Sequence, residues 1–209
     1  MAGRPAIRTA GCGKPDRLMV ELPSNLILAC MDGDARAWRE LVRTTSSPLL
    51  NLALRYLGNR QQAEDALQEA YIKVYRNLGS LRDAGKAYSW MASILVNECR
   101  QLYNKHKKHA GTGIDDYSFS LGTEGGQDAE LSLRESAELV QAALMKMPVR
   151  LREILVLREF ENMDYGEIAL VSRIPVGTVR SRLARAREKW IEIMKESLAG
   201  GSLLGLAGN

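Results

Sequence analysis

Residues 164–187 read DYGEIALVSRIPVGTVRSRLARAR, and the order of capping, breaking and apolar residues in them decides the fold. Asp164 and Glu167 stand in capping-box spacing: the first carboxylate accepts a backbone N–H of the first turn, and the second reaches back to the N-cap. A helix therefore starts there and buries Ile168 and Ala169. Ser172-Arg173-Ile174-Pro175 stops it, and a second helix begins near Pro175, where a missing N–H costs little. Two helices joined by so short a turn have helix-turn-helix spacing. On the second helix Val179, Leu183, Ala186 and Trp190 form one narrow apolar face. Gly177, Thr178, Ser181, Ala184 and Arg185, flanked by Arg180, must then point outward. Residues 173–195 carry seven basic side chains against Glu188 and Glu192, a local net of +5 in a chain whose total is +4. A merely solvated helix has the same composition, but the charge is concentrated where a helix entering the major groove of DNA needs it.

Working outward, 209 residues with 45% apolar and 26% charged side chains suffice for one large or two small packed domains. A pI near 9.0 is compatible with an anionic partner. No apolar run approaches the ~20 residues of a membrane span, and the basic start of the chain is not followed by a hydrophobic segment, so neither a secretory signal nor membrane insertion is expected. Three cysteines without a C-x-x-C pair indicate neither a disulfide framework nor a zinc site, and a reducing cytoplasm fits best. His106 and His109 have ligand-like spacing with Cys99, but Lys105, Lys107 and Lys108 among them disfavour a bound cation; no metal or other cofactor is expected.

Proline is absent from 49 to 147, and the residues there follow helical rather than alternating periods. The fold class expected is all-α: two small helical domains joined by a flexible linker, the C-terminal one a helix-turn-helix. Residues 1–23 read as a disordered extension, 24–109 as the first domain, 110–130 as a flexible acidic linker, 131–197 as the second domain and 198–209 as a flexible tail. The sign of the charge supports the boundary: residues 100–109 carry only basic charges and 111–130 only acidic ones.

In the first domain a helix follows the Gly58-Asn59 break, with Ala63, Ala66, Leu67, Ala70, Val74 and Leu78 on its buried face. The opposite face holds Asp65, Gln68, Glu69, Ile72 and Arg76. One reading is a solvated surface with a stray isoleucine; the other is a docking surface for a partner with basic and apolar groups. The next helix, about 86–103, buries Ala87, Trp90, Met91, Ile94, Leu95 and Leu102. Its other side presents Ser89, Ser93, Asn97, Arg100 and Asn104, a row that continues into Lys105. Such a stripe is either an ordinary wet surface or one on which amides read bases while cations meet phosphates.

Three segments together, NRQQAEDALQEAYIKVYR (59–76), WMASILVN (90–97) and residues 164–187, resemble the extracytoplasmic-function sigma factors of bacterial RNA polymerase. The resemblance covers two domains in the right order. It implies a helical, promoter-binding polymerase subunit without the extra regions of housekeeping sigma factors. It also implies that Asp65, Gln68, Glu69 and Ile72 dock on the clamp helices of the largest subunit of core RNA polymerase. Asn97 and Gln101, with Arg100 and Lys105 on the backbone, would take unstacked bases of the minus-ten element. Thr178, Arg180, Ser181 and Arg185 would read the minus-thirty-five element of promoter DNA in the major groove. Family members are commonly held by an anti-sigma factor, which makes one an expected partner.

Some positions depart from the family pattern. Arg173 stands where a turn glycine is frequent, Gln101 and Asn104 replace an aspartate and an arginine, and Pro175 replaces a capping serine. The alternative function is a helix-turn-helix transcriptional regulator that is not a polymerase subunit. A response regulator would need an α/β receiver domain that the first 130 residues lack. An enzyme would need a P-loop, a His-Glu-x-x-His or a nucleophile motif, and none occurs.

Overall fold

The computed structural model describes residues 20, 22–109 and 129–204, with side chains at 20, 22–106 and 136–197. It is all-helical over that range: α1 (Ser24–Met31), α2 (Ala35–Leu57), α3 (Arg60–Asn77), α4 (Ala87–His109), α5 (Ala129–Lys146), α6 (Val149–Leu155), α7 (Tyr165–Ser172) and α8 (Val176–Leu204). Short 3-10 turns lie between α3 and α4, and α6 passes directly into a π turn, Val156–Phe160.

Local chemistry sets the boundaries. The Asp34 carboxylate accepts from the Arg36 and Ala37 amides and starts α2. Gly58, at φ 76°, ends α2 in the left-handed conformation that glycine adopts without penalty, and its N–H closes on the Leu54 carbonyl. Asn59 then caps α3 by accepting from the Gln62 amide. The capping box at 164–167 forms in full, and Arg173 closes α7 at φ 54°, ψ 47°. The turn therefore adopts the left-handed conformation that glycine favours, on a residue with a Cβ.

In the first unit α2, α3 and α4 pack around Leu41, Leu49, Leu52, Ala63, Ala66, Ala70, Val74, Met91 and Leu95, all buried. Three alanines on the α3 face let its neighbours approach closely. In the second unit Leu144, Ile154, Leu157, Ile168, Val179, Leu183 and Ile193 form the centre. Their burial is a main source of cohesion in each unit, at ~1.5–3 kcal/mol per large side chain removed from water. The two units do not stand apart: α4 packs against α7, and α2 against α5, α6 and the π turn, so the apolar cores run together.

Several expected boundaries move. α4 runs on to His109, not to about 103, and α5 begins at Ala129, inside the expected linker. α8 extends through Leu204, seven residues into the stretch read as a flexible tail. Gly200 and Gly201 cost ~1 kcal/mol each, but no proline interrupts the stretch, and a helix already nucleated on a core propagates through such positions. Most of the 1–23 extension, most of the 110–130 linker and residues 205–209 lie outside the described residues.

Arg173→Gly should relieve the left-handed strain. The strain removed is ~1–2 kcal/mol and the added chain entropy offsets part of it, leaving a gain of about 0.5–1 kcal/mol, or ~2–3 °C in thermal unfolding. A lower melting temperature for the glycine variant would show that Arg173 is not strained.

Candidate nucleic-acid interface

The outer face of α8 is open to solvent. Arg180, Ser181 and Arg185 are exposed and Thr178 is half-buried, all anchored from behind by buried Val179, Leu183 and Ala186. The Ser181 hydroxyl donates to the Thr178 carbonyl at 3.1 Å, and the Arg180 guanidinium lies 6.0 Å from the centre of the Tyr165 ring. Arg187 and Lys189 are held by Glu159 and Glu192, whereas Arg180, Arg182 and Arg185 have no carboxylate partner among the described residues. The cations nearest the helix start thus stay available to an external anion.

On α3 the acidic and amide stripe is in the open: Asp65, Gln68 and Glu69 are exposed, and Ile72 is 38% exposed among them. The side-chain amide of Gln61 donates to Asp65 at 3.2 Å. Tyr75, 67% exposed and edge-on to Trp38 at 5.0 Å, extends this surface. Sequence reading passed over it, although its place three residues after Ile72 puts it on the same stripe.

The polar stripe of α4 is divided. Gln101 and Lys105 are exposed, and the Gln101 amide donates to Glu98, which also binds Lys73 at 2.6 Å. Asn97 is half-buried. Ser89 and Arg100, by contrast, bond to the second unit. The Arg100 fork reaches Glu153 of α6, Nε to Oε2 at 2.9 Å and Nη2 to Oε1 at 2.6 Å, and Nη2 also meets the Val171 carbonyl at 3.3 Å. Burial would lower the Arg100 pKa, but the hydrogen bond and charge of Glu153 outweigh it and raise it.

Glu153 is the hub of this seam. Besides Arg100 it accepts from the hydroxyls of Ser172 (2.6 Å) and Tyr56 (3.2 Å), and its side chain is only 8% exposed. Around it, buried Arg152 donates to the Tyr56 carbonyl at 2.6 Å and to the Met145 and Met147 carbonyls, while Gln141 donates to the Leu54 carbonyl. Side chains of the second unit thus bind carbonyls at the C-terminal end of α2. Farther along, Tyr88 donates to Glu161 at 2.7 Å, Ser89 donates to Glu167, and Arg55 lies 4.6 Å over the Phe160 ring. Burial, reinforced by these carboxylates, pushes the Tyr56 and Tyr88 phenols far above their ordinary range. Burial likewise raises the Cys99 thiol, which keeps it out of thiolate chemistry.

Two clefts flank the seam. A mainly apolar one of about 830 Å³ is walled by Trp90, Leu170, Ile174 and Val176, and a polar one of about 420 Å³ by Arg100, Tyr103, Asn104, Arg150 and Arg182. Among the described residues no helix is long and apolar enough to cross a membrane.

Comparison with known proteins gives two family matches: Sigma-70 region 2 over residues 41–109, and Sigma-70, region 4 over residues 137–189. The chain is 36% identical over 179 residues to the RNA polymerase sigma-H factor of Pseudomonas aeruginosa, covering 82% of this chain and 93% of that one. It is 32% identical over 171 residues to the ECF RNA polymerase sigma-E factor of Escherichia coli K12, covering 78% and 89%. In fold it is similar to CnrH, solved in complex with the cytosolic domain of CnrY (TM-score 0.61, 22% identity, 83% and 97% covered). It is also similar to the sigma factor RpoE of Bartonella quintana, solved with the anti-sigma factor NepR (TM-score 0.62, 21% identity, 77% and 98% covered).

The two seam tyrosines give a pH signature. Their folded pKa values lie above those of the unfolded chain, so the folded state keeps protons that the unfolded state releases above pH ~10, and stability falls as pH rises from there. Each should contribute a slope of about 1 kcal/mol per pH unit, measured by urea unfolding between pH 9.5 and 11, approximate limits set by the tyrosine range. Tyr56→Phe with Tyr88→Phe should flatten it, and an unchanged slope would show that these phenols ionise freely in the fold.

Proposed function

The chain belongs to the sigma-70 family, in its extracytoplasmic-function group, and from this we propose how its surfaces divide the work of a promoter-recognition subunit. The α3 stripe of Asp65, Gln68, Glu69 and Ile72 docks on the clamp helices of the largest subunit of core RNA polymerase. Residues 24–109 carry that surface and the minus-ten surface, residues 131–197 carry the minus-thirty-five surface, and residues 110–130 join them. The protein works in the cytoplasm and performs no covalent chemistry. What supports the assignment is the exposure pattern: an apolar side chain stands open in the α3 acidic stripe, and unpaired cations stand open at the start of α8.

On promoter DNA, α8 enters the major groove with Arg180 and Arg185 toward base edges or phosphates and Ser181 and Thr178 beside them. Ala184 offers a methyl that can meet a thymine methyl. On α4, Asn97 and Gln101 take bases extruded from the melted minus-ten strand, while Arg100 and Lys105 bind its backbone. Unstacking costs a few kcal/mol per base, and strand capture offsets that cost, so binding energy holds the bubble open. An anti-sigma factor is the expected inhibitory partner.

Asp65→Lys with Glu69→Lys should abolish co-elution with bacterial core RNA polymerase and leave duplex DNA affinity unchanged; retained co-elution would remove the α3 assignment. Arg185→Ala should cost ~1–3 kcal/mol at one promoter position in a base-substitution series. Equal weakening on every sequence would make Arg185 a phosphate contact instead.

A further inference from the structure

We propose that the polar cleft of about 420 Å³ beside the seam is a binding site for a small molecule that carries a diphosphate group on a nucleoside. Its size falls within the roughly 300–1,000 Å³ of small-molecule sites, and its walls come from both units, as they do in sites that form at domain boundaries. Three helices each bring a guanidinium to it: Arg100 from α4, Arg150 from α6 and Arg182 from α8. Against them stands one carboxylate, Glu153, which Arg100 engages through Nε and Nη2 at 2.9 and 2.6 Å. That pair neutralises itself, and Arg150 and Arg182 are left without a carboxylate partner among the described residues.

The charge selects the ligand class. Arg182 is half-buried, where an uncompensated cation costs more than on an open surface. A single carboxylate brings one charge to one fork, whereas a diphosphate brings at least two charges and enough oxygens to engage both. Glu153 does not repel it strongly, because its own oxygens already accept from Arg100, Ser172 and Tyr56. The rest of the wall is of another kind. Tyr103 is half-buried there, and Val149 and Ile174 add apolar surface, which suits a flat uncharged group rather than more phosphate. Aromatic rings stack on nucleobases of any sequence, and the Asn104 side-chain amide offers both a donor and an acceptor to a base edge. Arg180 and Arg185, assigned to the minus-thirty-five element, do not line the cleft, so the site is distinct from the outer face of α8.

The test is calorimetric titration of the full chain with adenosine diphosphate, pyrophosphate and adenosine, in about 0.15 M salt to screen the open cations. Adenosine diphosphate should bind once per chain, pyrophosphate about tenfold more weakly, and adenosine not measurably. Arg150→Gln with Arg182→Gln should weaken both phosphate ligands by about tenfold or more. Tyr103→Ala should weaken only adenosine diphosphate, bringing it to the pyrophosphate value. Should the double variant fold poorly by circular dichroism, Arg150→Gln alone, at an exposed position, is expected to show part of the same loss. Equal binding of the two phosphate ligands, untouched by Tyr103→Ala, upholds the anion site and makes a free oligophosphate its ligand. Absence of binding by either, or binding that survives the double variant, overturns the site; its loss in Arg180→Ala with Arg185→Ala instead would place the anion on the outer face of α8.

Discussion

The buried carboxylate of Glu153 is the constraint around which the two halves of the molecule are arranged. A carboxylate removed from water is costly unless its oxygens are satisfied, and here they accept from Arg100, Tyr56 and Ser172. Two of those donors belong to the first unit and one to the second, so the condition for keeping the charge buried is that the units stay together. Arg152, the preceding residue, meets much of the mirror-image condition: it is a buried cation whose two terminal nitrogens donate to the Tyr56 carbonyl of α2, the Met145 carbonyl at the end of α5 and the Met147 carbonyl of the turn that follows. Adjacent residues of opposite charge thus fasten α6 to the first unit in two directions.

This seam is polar at its centre and apolar only in part, which separates it from the cores on either side. Apolar packing within each unit is non-directional and tolerates small displacements, whereas the Glu153 and Glu161 contacts depend on placement to within tenths of an ångström. An interface of that kind gains less from being closed than a domain core does, because every donor and acceptor in it finds water when the units part.

Charge is also divided by position. Along α8, Arg187 and Lys189 near the middle are held by Glu159 and Glu192, while Arg180 and Arg185 nearer the start are exposed and have no carboxylate partner among the described residues. On the first unit, Lys73 is drawn onto Glu98 behind the α3 stripe, leaving the exposed side acidic with Ile72 and Tyr75 among the carboxylates. The net basic character of the chain is thus less informative than the location of its uncompensated cations and of the acidic, partly apolar face of α3.

Much of this was open to reading in the chain itself, because it depends on groups close in sequence. The capping box at Asp164 and Glu167, the Asn59 cap, the alanine face of α3 and the outward set on α8 follow from hydrogen bonds within a turn and from a 3.6-residue period. Those rules also located Asp65, Glu69, Ile72, Arg180 and Arg185 on exposed faces. They could not locate Glu153 or Arg152, which sit in VRLREIL as two ordinary charged residues of an amphipathic segment. Whether such residues are buried depends on partners 53 and 96 positions away, brought near only when the units dock. The same holds for α4: periodicity determined that Ser89, Ser93, Asn97 and Arg100 share a stripe, but tertiary structure alone decided that part of it is covered. Local rules fix which way a side chain points from its own helix, and what it meets there is set by segments distant in the chain.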